Sequence, residues 1–158
     1  MRKLVRLLDV NRDGSFRKDF DRLVQQSAES QNLLHPITCW GKLSMSSDKV
    51  FILIDGDEVA GYIRTGRRKL YLTPDPCAVP LQPFTVECVL DFFVETQRQG
   101  NGKYLFENFL NSQNVNVESV AFDRPSPKLV SFLTKHFNIS DLVFQPNNFV
   151  ISRKFFAL

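Results

Sequence analysis

VECVLDFFVETQRQGNGKYLFENFL, residues 86 to 110, is the stretch from which the fold can be read. Its first part, Val86 to Val94, is apolar and rich in β-branched and aromatic residues, the pattern of a buried strand. From Lys103 onward, Leu105, Phe106, Phe109 and Leu110 recur at helical spacing on one face. Between them lies Gln97-Arg98-Gln99-Gly100-Asn101-Gly102. A strand that turns through glycines into a helix leaves backbone N–H groups at the positive end of the helix dipole, and that end attracts anions, most often phosphate. The segment therefore predicts a phosphorylated ligand.

Spacing separates the glycine loops that do this. A P-loop places its first glycine where Gln97 stands and Ser or Thr where Tyr104 stands, so a nucleotide triphosphatase is not indicated. The dinucleotide fingerprint fails at Leu105, where its third glycine belongs. What remains is Gln-x-x-Gly-x-Gly from Gln97 to Gly102, which resembles the pyrophosphate loop of the GNAT superfamily of acyl-CoA N-acyltransferases. The same glycines would also serve a plain strand-to-helix turn.

Composition narrows the class. A chain of 158 residues fits one domain, and at this size roughly two-thirds of the unfolded surface is buried on folding. Hydrophobic content of 43% with fifteen phenylalanines points to a soluble globular protein. No apolar run approaches the roughly eighteen residues of a membrane span. The opening MRKLVRLLDVNRDG is basic, but its apolar part is too short for a secretory signal, so the cytosol is expected. Cys39, Cys77 and Cys88 are odd in number and widely spaced, which indicates neither a disulfide framework nor a zinc site. A net charge of +3 is too slight to imply nucleic acid, although Arg64, Arg67, Arg68 and Lys69 form a local basic run.

Along the chain, a strand is expected from Lys3 to Val10. Asp9 to Gly14 then imitates an EF-hand loop, but the twelfth position is Phe20 and the ninth is Arg17, so no bidentate carboxylate is supplied and calcium is not expected. Asp13-Gly14-Ser15 starts a helix to about Ser30 with Phe16, Phe20, Leu23 and Val24 on its core face. Pro36 suits the first turn of a short helix through Trp40 and Leu43. Lys49 to Ile54 and Val59 to Leu72 form a hairpin through Asp55-Gly56-Asp57. Four prolines between Pro74 and Pro83 make a surface loop. Glu118 to Phe122 is a strand, and Ser126 caps a helix beginning with Pro127 and running to Phe137, burying Leu129, Val130, Phe132 and Leu133. Leu142 to Phe144 and Asn148 to Phe156 close the chain as strands. This order predicts an α/β fold, a mixed central sheet flanked by helices, which is also the order of the GNAT-type acyl-CoA N-acyltransferase fold.

The second half makes the resemblance specific. Cys88-Val89-Leu90-Asp91-Phe92-Phe93-Val94, the Gln97 to Gly102 loop, Phe122-Asp123-Arg124-Pro125-Ser126, Phe132 to Phe137 and Asn147 to Ile151 together resemble the α-tubulin N-acetyltransferases. Ser27 to Gln31 leading to Pro36-Ile37-Thr38 is similar to that family's early helix end. Between Val94 and Gln97 this chain is shorter than the family pattern. The resemblance implies residues 1–158 as a single GNAT-like catalytic domain, acetyl-CoA as cosubstrate with no metal, and transfer of acetyl to a lysine side chain of α-tubulin. It implies α-tubulin and microtubules as partners, with no nucleic acid and no membrane, and a monomer in the cytoplasm on the cytoskeleton, including a cilium or flagellum axoneme.

By the same resemblance Asp123 and Cys88 are the catalytic pair, and Gln31 matches a position important for activity that shapes the acceptor site. The attacking amine must be neutral, yet a lysine's reference pKa is about 10.4, so roughly one molecule in a thousand or fewer is ready at neutral pH. An aspartate's reference value of about 3.9 is far below that, which suits Asp123 to orienting the ammonium. A cysteine's reference value near 8.5 is better matched to acid–base work and is also that of a potential nucleophile; the expectation is direct attack in a ternary complex. For the cosubstrate, the backbone around Gln97, Arg98, Gln99, Gly100, Asn101, Gly102 and Lys103 is expected to cradle the pyrophosphate. Phe92, Phe93 and Val94 lie on the strand expected to pair with the pantetheine arm, and Ser126, Lys128, Leu129, Phe132 and Lys135 match the helix flanking coenzyme A. Arg124, Arg64 and Lys69 are the candidate surface for acidic tubulin. The competing readings are a GNAT enzyme for another amine and a tubulin-binding module without turnover.

Overall fold

The computed structural model describes residues 1–7, 14–75, 77–80, 82–95 and 100–157. The strands are β1 (Arg2–Leu7), β2 (Lys49–Asp55), β3 (Glu58–Tyr71), β4 (Pro83–Val94), β5 (Val120–Asp123), β6 (Leu142–Phe144) and β7 (Phe149–Ser152). They form one seven-stranded mixed sheet in the order β1-β2-β3-β4-β5-β7-β6. β4 pairs with β5 in parallel, whereas β1 with β2, β2 with β3, β5 with β7 and β6 with β7 are antiparallel. Helices α1 (Arg17–Ser30), α2 (Trp40–Ser44), α3 (Asn101–Gln113) and α4 (Pro127–Phe137) flank the sheet. None of the described helices is long and apolar enough to cross a membrane. The expected strand end at Val10 and the calcium-loop mimic from Asp9 to Asp13 lie outside the described residues.

The chain divides into two compact units, Met1–Thr65 with Asp91–Ser112, and Gly66–Leu90 with Gln113–Leu158. In the first, the apolar face of α1 buries Phe20, Leu23 and Val24 against Trp40, Leu43, Val50, Ile52, Val59 and Tyr62. Phe20 meets Trp40 and Tyr62 edge-on, at centroid distances of 5.7 and 5.2 Å, the arrangement that brings a ring's positive edge to its neighbour's negative face. The β2–β3 hairpin turns through Gly56 at φ +65, a left-handed conformation that glycine adopts without a Cβ penalty. Its register shifts between Leu53 and Ile54, which face Gly61 and Val59.

One expectation for this unit is corrected. The short helix starts at Trp40, not at Pro36. Cys39 is extended, and its sulfur accepts from the Lys42 amide, so it is the cap. Just before it, the Thr38 hydroxyl donates to buried Asp91 at 2.8 Å, a tie that fixes the loop ahead of the helix.

In the second unit, Leu70, Leu72, Val86, Cys88, Leu90, Ala121 and Ile151 form the core, with Phe149, Phe155 and Phe156 packed against it. β4 begins at Pro83, earlier than the apolar run suggests, because the first position of a strand tolerates a residue without an amide donor. β5 starts at Val120, after a 3-10 turn over Val117–Ser119. α4 is built as expected: Ser126 accepts from the Leu129 amide at 3.2 Å, Pro127 opens the helix, and Asn138 ends it at φ 56. Of its four expected core residues, Leu133 is fully buried, while Leu129, Val130 and Phe132 are half-buried. The last strand stops at Ser152, and Arg153–Ala157 is a 3-10 turn. The Arg153 amide still donates to the Asp141 carbonyl, in register with the Leu142–Ser152 pair, and beyond it Ser152 Oγ accepts from the Lys154 amide as the chain enters the turn.

Candidate active site

The glycine turn belongs to the first unit. Gly100 has φ +75, the left-handed conformation its sequence position demands. The Tyr104 amide donates to the Gly100 carbonyl at 3.0 Å, so the helical ladder begins there and the amides of Asn101, Gly102 and Lys103 precede it. These are the donors that a helix start leaves without intrahelical partners. The Arg2 guanidinium lies about one van der Waals contact away: a Cβ placed on Gly100 would be 3.5 Å from its Nη1. Arg2 also lies 5.7 Å over the Tyr104 ring. A cation, three leading amides and the positive end of the α3 dipole thus converge around residues 100 to 103, which is an environment for negative charge.

Asn101 is buried and donates from Nδ2 to Asp55 at 3.4 Å, while among the described residues its Oδ1 has no partner. Lys103 is half-exposed and 3.7 Å from Glu107 one turn on. Gln97, Arg98 and Gln99 lie outside the described residues. On β4, Phe92 meets Phe106 edge-on at 6.0 Å, Phe93 is tilted against Tyr62 at 6.5 Å, and Val94 is buried.

Gln31 follows α1 directly and is its C-cap. Its Nε2 donates to Ser27 Oγ at 3.1 Å and is 3.4 Å from the Ser27 carbonyl. Tyr62 donates to Asp91 Oδ2 at 2.6 Å, and Thr38 donates to the same oxygen at 2.8 Å. Burial pushes the Asp91 carboxyl up, against the two hydroxyl donors and Arg64, which favour its ionised form. Burial and the Asp91 charge together push the Tyr62 phenol up.

Arg64 carries a different load from the one expected of a surface cation. Its guanidinium forms a 2.7 Å ion pair with Asp48, whose side chain is 2% exposed, and reaches Thr38 Oγ1 at 3.4 Å. Lys69 and Arg67 on the same strand are exposed.

The catalytic pair expected from the sequence belongs to the second unit. Cys88 on β4 faces Ala121 on β5 in parallel register. Asp123 is two residues beyond Ala121, and side chains two apart on a strand share a face, so Cys88 and Asp123 lie on one side of adjacent strands. Cys88 is fully buried, and its thiol is pushed up to about 12, chiefly by burial, with Glu87 and Asp123 adding to the shift and Arg68 opposing it. At neutral pH it is a thiol, its Sγ 3.5 Å from the Val86 carbonyl. Desolvation disfavours the thiolate, which moves Cys88 away from the reference value near 8.5 used in the sequence analysis. Asp123 keeps 28% of its side chain exposed and lies 4.0 Å from Arg124 Nε. Arg124 is exposed and takes φ 44, its amide held by the Asn148 carbonyl.

On α4, Lys128 and Lys135 are exposed and Leu129 is half-buried. Phe132 is tilted against His136 at 5.0 Å. No role was assigned from the sequence to the buried polar side chains of Ser27, Thr38, Tyr62 and Asp91. The available signal was Asp91 itself, a carboxylate inside the apolar run Cys88 to Val94.

A family model described as GNAT acetyltransferase, Mec-17 matches residues 6–158. The alpha-tubulin N-acetyltransferase of Anopheles gambiae is 39% identical over 137 residues, which cover 83% of this chain and 28% of that protein. That of Tetrahymena thermophila is 36% identical over 135 residues, 84% of this chain and 33% of the relative. Alpha-tubulin N-acetyltransferase 1 of Danio rerio is 38% identical over 145 residues, 86% and 48%. The chain spans half or less of the length of these curated relatives. Among solved structures, AAC(6')-Iy in complex with a CoA-containing bisubstrate analog superposes with TM-score 0.57 at 12% identity, covering 89% of this chain and 92% of that one. The aminoglycoside acetyltransferase meta-AAC0020, from an uncultured soil sample, gives 0.54 at 17%, covering 87% and 85%. At such identities these two structures speak to the fold.

Proposed function

The chain belongs to the Mec-17 family of GNAT acetyltransferases, and from that premise we propose that it transfers acetyl from acetyl-CoA to a lysine side chain of α-tubulin in microtubules. The observation that carries the proposal is the match to the family over residues 6–158, a span that includes the glycine turn, Cys88 and Asp123. Residues 1–158 are proposed as one catalytic domain, acting as a monomer in the cytoplasm on microtubules, those of a cilium or flagellum axoneme included.

The residues around Gly100 fit a diphosphate: a left-handed glycine, three leading amides and the Arg2 guanidinium supply donors and positive charge. Gly100, Asn101, Gly102 and Lys103 would hold that group, with Gln97, Arg98 and Gln99 completing the motif. Phe92, Phe93 and Val94 would line the pantetheine arm, and Ser126, Lys128, Leu129, Phe132 and Lys135 would flank the coenzyme from α4. When bound, acetyl-CoA supplies a thioester carbonyl to which the neutral amine adds, expelling the coenzyme A thiolate.

Asp123 holds the incoming ammonium and, being partly exposed, gives its proton a route to water. Cys88 lines the reacting face as a neutral thiol, which favours direct attack over a covalent acyl-cysteine, since a thiol raised to about 12 has almost no thiolate at neutral pH. Gln31 shapes the acceptor site. Lys69 and Arg124 offer exposed cations to the acidic tubulin surface, and Arg64 supports that strand through Asp48.

The test is turnover of acetyl-CoA by the purified chain with polymerised tubulin, lysine peptides and small polyamines as competing acceptors. Preferential acetylation of polymerised tubulin is expected. Equal turnover on small amines would overturn tubulin as the acceptor, and microtubule pelleting without acetyl transfer would overturn the enzyme.

A further inference from the structure

Gln145 directly follows β6 and is buried, so its carboxamide has to find its partners inside the protein. It finds them on one residue. Its Oε1 accepts from the Thr73 amide at 2.9 Å and its Nε2 donates to the Thr73 carbonyl at 2.8 Å, the double exchange that a hydrogen-bonded pair of strand residues makes. The orientation has one sense, because a flipped carboxamide would set donor against donor and acceptor against acceptor. A side chain thus stands in for a strand partner and ties the backbone just past β3 to the turn between β6 and β7. Asn147 Nδ2 and Arg153 Nη1 reach the Tyr71 and Pro74 carbonyls on either side, at 3.5 and 2.8 Å.

The same turn holds the strand end that carries Asp123. The Gln145 amide donates to the Phe149 carbonyl at 2.9 Å and the Asn148 amide donates to the Gln145 carbonyl at 3.1 Å, which closes the chain between them. Phe149 pairs with Asp123, and the Asn148 carbonyl accepts from the Arg124 amide at 3.0 Å. Arg124 sits at φ 44, a conformation that a residue with a Cβ keeps only where its surroundings over-determine it. The Asn148 carbonyl supplies that constraint. Every link from Thr73 to Arg124 is a hydrogen bond or a peptide connection within the second unit.

We propose that Gln145 is a positioning residue for Asp123: by pinning its turn to Thr73 it keeps the Asn148 carbonyl on the Arg124 amide, and so fixes the direction in which the Asp123 carboxylate meets the incoming ammonium. This deepens the proposed function and rests on the reading of Asp123 as the orienting carboxylate. Gln145 touches neither substrate, and its effect is carried entirely by the backbone around Asp123.

The experiment compares wild type with Gln145→Met, Gln145→Glu, Asp123→Asn and the double variant Gln145→Met/Asp123→Asn, using acetyl-CoA and polymerised tubulin. Gln145→Met keeps the length and loses both bonds; Gln145→Glu keeps the shape and, when ionised, loses the donor to the Thr73 carbonyl. Each should lower kcat about ten- to hundredfold, the scale of a reacting group misplaced from a distance, with the KM for acetyl-CoA unchanged. In the Asp123→Asn background Gln145→Met should add nothing. An unchanged kcat in both Gln145 variants, or an additive double variant, would overturn the proposal while leaving acetyl transfer intact. If Asp123→Asn is as active as wild type, the reading of Asp123 falls and the proposal with it. A second readout needs no turnover: hydrogen exchange of the Arg124 amide should speed up in Gln145→Glu, and unchanged protection there would contradict the link through Asn148.

Discussion

Gly61 passes so close to Phe93 that a Cβ on Gly61 would lie 2.7 Å from the Phe93 carbonyl oxygen and 3.2 Å from Val94 Cα. Both neighbours are backbone, so no rotamer change can make room. The site adjoins the register shift of the β2–β3 hairpin, and the Glu95 amide donates to the Ala60 carbonyl at 2.8 Å, holding the strands together there. Gly61→Ala should therefore destabilise the protein by about 1 to 3 kcal/mol, the usual range for overpacking. Urea denaturation measures this, and a change near zero would contradict the close approach.

Cys88 should be the least reactive of the three thiols. Cys77 is exposed, Cys39 intermediate and Cys88 buried. At mildly alkaline pH a thiol reagent should modify Cys77 first and Cys88 only on unfolding. The shift also has a stability consequence. Burial raises the thiol from its ordinary 9.0 to about 12, so as pH rises through that interval the unfolded chain releases the proton while the folded chain keeps it. Stability should fall across that window, and the fall should be shallower in Cys88→Ala. Equal slopes, or modification of Cys88 in step with Cys77, would contradict the buried neutral thiol.

How much of this could be read beforehand depends on how local the signal was. The β4 strand, its glycine turn and α3 were legible because Gly100 and Gly102 punctuate two different hydrophobic periods. Ser126 and Pro127 announced α4 in the same way, and Asp55-Gly56-Asp57 the hairpin. Pro36 misled, because its fixed φ suits a helix start but the Thr38 bond to Asp91 and the Cys39 cap move the start to Trp40. The end of β7 was misplaced because the apolar residues Phe155 and Phe156 extend the strand pattern, whereas the chain enters a 3-10 turn at Arg153, with Ser152 Oγ taking the Lys154 amide. The buried polar chain was invisible: Asp91 finds Tyr62 at a separation of 29 residues and Thr38 at 53, and no periodicity encodes such partners. The register that sets Cys88 and Asp123 on one face likewise required the β4–β5 pairing.

Arg124 combines an exposed charge with φ 44. A residue bearing a Cβ is strained in this conformation and glycine is not. Arg124→Gly should accordingly raise stability by up to about 1 kcal/mol, glycine's greater unfolded-state entropy offsetting part of the relief, while weakening the productive encounter with tubulin. Thermal unfolding together with KM for tubulin measures both, and a loss of stability would contradict the strain.

Ser126 is a working helix cap. Ser126→Ala removes the acceptor for the Leu129 amide and should cost about 1 kcal/mol, whereas Ser126→Asp should recover most of it. Equilibrium denaturation of the two variants checks this, and equal losses would show that the cap is not the source.

The most direct measurement is the appearance of acetyl-lysine on α-tubulin when polymerised tubulin is incubated with acetyl-CoA and either wild type or Asp123→Asn. Wild type should acetylate a lysine of α-tubulin, and Asp123→Asn should be slower by about a hundredfold or more, the scale of a lost acid–base or orienting carboxylate, with acetyl-CoA affinity unchanged. Equal rates for the two, or no acetylation by wild type, would contradict the assignment of Asp123 and, in the second case, the proposed activity itself.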